Sequence, residues 1–230
     1  MDKQWKRGDS ITIGHYPQSS ADTYEPIEWI IIKIDKEQAF LTSLYALDAQ
    51  PYHGSENLIG IELIMKKSSE KTTLRNMVSQ DLRQVTWETS TLRTWLNQSF
   101  MNIAFSKEEQ NCLLEIDALK DKVSLLKLDE NINDAEQFPS DASTGCRATA
   151  YAANHYVDDI EAERQARASK PLPPRATYWL QNKGVVVHGD RMEGVLGVIC
   201  PVMELNSKLA IRPMLLLDLN RYEQLVDLSM

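Results

Sequence analysis

Four histidines and three cysteines are the residues of this 230-residue chain best suited to metal or nucleophile chemistry, and their spacing assembles no familiar constellation. Cys112, Cys146 and Cys200 are odd in number, far apart and without a C-x-x-C pair, so neither a disulfide framework nor a zinc site is predicted. Each reads as a small buried hydrophobe. His15, His53, His155 and His188 show no H-E-x-x-H spacing, and no metal is expected. There is no G-x-S-x-G elbow to activate a serine and no G-x-x-x-x-G-K-S/T or G-x-G-x-x-G cradle for a nucleotide phosphate. Catalytic residues are therefore unassigned and no cofactor is implied. The enzymatic alternative is an unfamiliar type working through polar residues of the C-terminal loops, with His188, Asp190 and Arg212 in one pocket.

The elements that must position any site are easier to read. Thr89 and Ser90 are good N-cap types, and Leu92, Trp95, Leu96 and Phe100 follow at helical spacing, so a helix is predicted from about Ser90 with that face buried. Trp87 precedes it, and Glu88 lies close enough to reach Arg93 as a structural ion pair near the helix N-terminus. Ser106 and Glu109 form an S-x-x-E capping box for a second short helix carrying Cys112, Leu113 and Ile116 inward. Only 101–105 separates the two helices.

Around this pair, Ile11 and Ile13 predict an edge strand, and Ile27 to Ile34 with Ala39 to Leu44 a hairpin. Consecutive Trp29, Ile30, Ile31 and Ile32 imply that both faces of the first hairpin strand are covered. Tyr45 to Tyr52 reads as a loop. Lys122 to Leu128 reads as a strand, and Arg147 to Tyr156 as a short helix on which His155 is a surface or half-buried residue. Asp158 to Lys170 suits an exposed helix, followed by an extended connector at Pro171 to Pro174. The remaining chain predicts strands at Ala176–Gln181, Val185–His188, Gly194–Cys200 and Leu209–Leu219, with Pro201 and Pro213 at edges or bulges, and then a short tail helix.

A net charge of -8, with 43% hydrophobic and 25% charged residues, describes an ordinary acidic globular protein. Phosphate backbones and anionic membrane surfaces are recognised by clustered Lys and Arg, so no nucleic-acid or membrane partner is predicted. The first residues lack an apolar segment after their basic ones, and the expected localisation is cytoplasmic.

Four blocks, taken together, resemble a widespread uncharacterised family of bacterial domains. They are ITIGHYPQ from Ile11, PIEWIIIKID with AFLTSLYALDAQPY across Pro26 to Tyr52, TWETSTLRTWLN from Thr86, and YWL from Tyr178 with the terminal AIRPMLLLDL ending at Leu219. The last block is similar to the C-type-lectin-like fold. The resemblance implies an α+β architecture, a bent antiparallel sheet packed against the central helix pair. It implies one such domain over 1–230 with insertions near 54–85 and 158–174. Ligands of that fold meet the irregular loops beside the last strands, which here would place Trp179, Gln181, Asn182, His188, Asp190, Arg191, Glu193 and Arg212 along a binding surface. That surface offers hydrogen bonds and one aromatic plane, suited to a sugar, a peptide or another protein. For Trp179 and Arg212 the favoured reading is structural, a core aromatic and an arginine paired with a buried acid. The chain departs from its relatives where Gln181, Asn182 and Lys183 replace Arg, Ser and Pro, and where Ile27 follows Glu25 and Pro26 in place of the asparagine of calcium-binding lectins. The function expected is a non-catalytic module binding an unknown protein or small ligand, with a candidate partner interface in 54–85.

Overall fold

Consecutive β-branched residues build the centre of the main sheet. The computed structural model describes residues 4–54, 85–127, 146–155, 176, 178–181, 185–186, 198–199 and 208–229. Strand β2 (Tyr24–Asp35) turns through Lys36, at φ 56, into β3 (Gln38–Ser43), and β1 (Ser10–Pro17) pairs along the outer side of β2. The fully antiparallel sheet has the order β1-β2-β3-β12-β6, where β6 is Val123–Leu125 and β12 is Pro213–Asp218. β1 is thus an edge, as its alternating pattern predicts. Trp29, Ile30, Ile31 and Ile32 are all buried, so both faces of β2 are covered. Trp29 and Ile31 join the larger core and Ile32 a smaller one on the opposite side.

The segment Tyr45 to Tyr52 is not a loop. It forms β4 (Tyr45–Ala46) and β5 (Asp48–Pro51). Strand β4 pairs in parallel with β7 (Arg147–Ala148), and β5 closes a second sheet of order β10-β9-β8-β11-β5. Its other strands are β8 (Tyr178–Trp179), β9 (Val185–Val186), β10 (Val198–Ile199) and β11 (Lys208–Ile211). Leu209 to Leu219 is therefore two strands, divided at Arg212 and placed in different sheets. Pro213 begins β12, an inner strand; at the first position of a strand its missing N–H costs little.

The helical layer covers the inner face of the main sheet. Ser90 accepts from the Arg93 N–H and starts α1 (Thr91–Trp95), as the cap types predict. The chain continues through a π-helical turn (Leu96–Phe100) into α2 (Met101–Ala104), so 101–104 extends the first helix and only the extended Phe105 and Ser106 separate it from the next. Leu92, Leu96 and Phe100 are buried, while Trp95 is only partly so. The wide turn sets the Asn97 amide against β6, where its Oδ1 accepts from Lys122 N at 3.0 Å and Val123 N at 3.1 Å and its Nδ2 donates to Val123 O at 2.8 Å. The Ser106–Glu109 capping box is complete and opens α3 (Lys107–Cys112). Helix α3 ends before Leu113, so Leu113 is buried from an extended position and Ile116 stands in a loop. Helix α4 (Ala150–His155) and the tail helix α5 (Leu219–Ser229) complete a mixed α+β protein with largely antiparallel sheets and a few short helices. Residues 55–84 of the first insertion, and the helix and connector predicted over 158–174, lie outside the described residues.

Candidate functional site

A cleft of about 730 Å³ opens where the helical layer meets the end of the second sheet. One wall is the turn at Thr86–Thr89, closed by Thr89 N donating to Thr86 O and Ser90 N to Trp87 O. The facing wall is the loop 116–120, closed by Ile116 N donating to Asp121 O at 2.7 Å and pinned at Leu119 N by the Asp117 carboxylate. Lys120, at φ 61, supplies the left-handed corner. The floor is Tyr52, Leu125 and Met214, and Gln181 and Lys127 close the far end.

Arg93 fastens the two walls together. Its Nε donates to both oxygens of Asp121, at 2.7 and 3.0 Å, and its two terminal nitrogens donate to the carbonyls of Glu88 and Leu119, each at 3.3 Å. Trp87 adds a bond from Nε1 to Asp121 Oδ2 at 3.1 Å. Arg93 thus pairs with Asp121 and takes only the backbone of Glu88, correcting the expected Glu88–Arg93 ion pair. Asp121 is nearly wholly buried, where a carboxylate is stable only with such donors. Its hydrogen bond raises the arginine pKa above the ordinary value. The exposed Glu88 carboxyl is held below its ordinary range, first by the Thr86 hydroxyl and then by its own backbone N–H.

The second sheet is tied to this cleft through Gln181. Its carbonyl accepts from the Tyr52 hydroxyl at 2.5 Å, its N–H donates to Leu126 O at 2.9 Å, and its side-chain amide donates to Ser124 Oγ at 3.1 Å. Trp179 lies behind, 0% exposed, its ring edge-on to Tyr52 at 5.5 Å and its Nε1 bonded to Gln50 O. It therefore supports Tyr52 from the core and presents no plane at the surface. Arg212 is equally buried, donating from Nε to Ser43 O at 2.9 Å and lying 5.6 Å from the Tyr178 ring. Of the described residues expected along the binding surface, Trp179, Gln181 and Arg212, only Gln181 lines the cleft. Asn182, His188, Asp190, Arg191 and Glu193 lie outside the described residues.

The cleft also uses residues that sequence spacing did not single out: Tyr52, Asp117, Asp121 and Lys127. The one sequence signal was Asp121 within a polar D-x-L-K-D stretch, which reads equally as a solvated turn. Chemically the cleft offers an aromatic and aliphatic floor, an amide, and opposed charges at Glu88, Asp117 and Lys127. Such a set orients a polar molecule with one apolar face. Among the described residues no three His, Cys, Asp or Glu side chains are grouped as metal ligands.

No curated protein and no solved structure matches the chain. The family described as a domain of unknown function, DUF6273, matches residues 59–219, taking in Trp87, Arg93, Asp121, Lys127 and Gln181. With more than half of its length matched, the chain belongs to the DUF6273 family.

Proposed function

We propose that this protein is a binding module whose cleft, between the Trp87 turn and the 116–120 loop, is a non-catalytic site for a small polar ligand or a short protein segment. The carrying observation is that cleft: about 730 Å³, within the usual size range of ligand sites, with an apolar floor and a few fixed polar groups. Its polar side chains are of the kinds that hold and orient. A C-type-lectin-like arrangement is the finer fold reading we favour. It is supported by the terminal strand β12 lying inside the main sheet, by the helical run packed on that sheet, and by a second small sheet carrying Tyr178 and Trp179. The candidate partner interface in 54–85 lies outside the described residues and stays a separate proposal.

A thermal-shift screen with sugars, nucleotides, amino acids and short peptides, with a chelator control, tests this function. A ligand at a hundred times its dissociation constant adds about 2.7 kcal/mol. At about 2 to 4 °C per kcal/mol for a chain of this size, the shift is easily seen. A shift abolished by Gln181→Ala supports the cleft. A shift that survives that change and Lys127→Ala places the ligand elsewhere.

A further inference from the structure

Outside the cleft, a buried carboxylate holds a surface histidine in a fixed pose. Asp48 is 5% exposed in its side chain, and its oxygens are surrounded by donors. Oδ2 accepts from the Tyr16 hydroxyl at 2.6 Å, and Oδ1 accepts from Ala49 N at 2.7 Å and faces His155 Nδ1 at 3.0 Å. The Tyr16 phenol is pushed well above its ordinary range, chiefly by burial and then by the Asp48 charge, so it remains a donor. A carboxylate can only accept, so Nδ1 of His155 carries the hydrogen, and in the neutral ring the lone pair lies on Nε2 at the opposite edge. Tyr151 packs edge-on against the imidazole, with centroids 4.3 Å apart, and also against Tyr16 at 5.9 Å, which fixes the ring plane. The His155 side chain is 39% exposed, so the ring reaches solvent from a buried support.

We propose that His155 is a reactive histidine, positioned by Asp48 and Tyr16, that accepts acyl groups from carboxylic esters and passes them to water. Nε2 attacks the carbonyl carbon, a C–N bond forms, and the C–O bond to the alcohol or phenol leaving group breaks. Water then attacks the acyl-imidazolium and the C–N bond breaks; of the two protons the water gives up, one goes to the departed alkoxide or phenoxide and one to solvent, leaving a carboxylate and the neutral ring. Nδ1 keeps its hydrogen on Asp48 throughout, and the carboxylate supports the positive charge that develops on the ring. A neutral ester is the fitting class. An anionic phosphoryl substrate would bring its charge towards the Asp48 carboxylate, whereas a neutral ester brings none. The aromatic edge of Tyr151 favours an aryl leaving group. Neither His155 nor Asp48 lines the cleft, so this activity stands or falls apart from ligand binding there.

The test uses the full chain and two probes, diethyl pyrocarbonate and p-nitrophenyl acetate, at neutral pH, with modified histidines located by peptide mapping. His155 should be acylated about tenfold faster than the exposed His15, the factor that one charge-assisted hydrogen bond commands. Asp48→Asn should bring the two rates together. The urea transition of each variant is the internal check on folding. His155→Gln, a change at a partly exposed site, should lower p-nitrophenyl acetate turnover about tenfold. If Asp48→Asn unfolds the protein, as loss of that transition would reveal, the His155→Gln turnover decides. Equal acylation of His155 and His15 in the wild type, or turnover unchanged in His155→Gln, overturns the proposal and leaves the pair as a latch for α4.

Discussion

Asp121 joins the two walls of the cleft, because one carboxylate receives Arg93 and Trp87 together. Asp121→Ala should cost about 2 to 3 kcal/mol, below the usual loss for a broken buried pair because Arg93 keeps some contact with water. Glu88→Ala should leave the urea midpoint unchanged, and a comparable loss in the two variants would restore the Glu88–Arg93 pair. His53 supplies a pH dependence. Burial lowers its pKa, so as pH falls through about 6.5 the unfolded chain takes up the proton first and stability is withdrawn. Melting temperatures between about pH 7 and 5.5 should fall more steeply for the wild type than for His53→Gln; parallel curves would remove His53 from the account. At this scale the sequence misleads for one physical reason. Five residues separate Glu88 from Arg93 and invite a local pair, but the partner chosen by burial is 28 residues away. Likewise His155 reads as an ordinary surface residue because Asp48, which orients it, is 107 residues distant.

Among the elements, the contact of β1 with the helical layer depends on Gly14. Gly14 has φ +77, and a Cβ there would come within 2.6 Å of Phe105 and 2.7 Å of the Ala104 carbonyl. The same glycine donates its N–H to Glu109 Oε1 at 2.8 Å, while Oε2 completes the Ser106 cap, so one carboxylate joins the edge strand to α3. Gly14→Ala should therefore cost about 2 kcal/mol or more, from backbone strain and overpacking against a carbonyl that cannot rotate away. A loss under about 0.5 kcal/mol in a urea melt would show that β1 sits further from Ala104. Much at this scale is legible beforehand. Ile30, Ile31 and Ile32 announce a doubly covered strand, Ser90 a helix start, and Ser106 with Glu109 a second. What escapes is short or irregular. Strand β5 is Asp-Ala-Gln-Pro, without a β-branched residue, and pairs only because β11 lies beside it. The π turn is equally silent, since Leu92, Leu96 and Phe100 keep an ordinary helical spacing while Asn97 is drawn to the β6 edge.

The whole molecule is divided differently from its sequence blocks. The continuous apolar run at the C-terminus serves two sheets because the chain breaks at Arg212, whose side chain is held in the core by Ser43 and Tyr178. The main sheet takes β1, β2 and β3 from before residue 59 and β6 and β12 from within the family match. β12 thereby depends on β3 for one of its two ladders. A fragment spanning 59–230 should show no cooperative unfolding transition, because its inner strand has lost a partner and the core its largest aliphatic cluster. A sharp, reversible transition in that fragment would mean the family region folds alone. The α+β class and the order of strand and helix are readable from periodicity, but the assignment of strands to two sheets is not, since pairing across 170 residues leaves no local trace.

The most direct measurement of the central claim is a pair of ligand-observed NMR fragment screens, one on the wild type and one on Ala118→Trp. Ala118 is an exposed loop residue on the wall of the cleft, so an indole there fills the space without entering the core. Fragments that bind the wild type and lose their signal in Ala118→Trp would place recognition between the Trp87 turn and the 116–120 loop, as predicted here. The same fragments binding both proteins equally would contradict that placement.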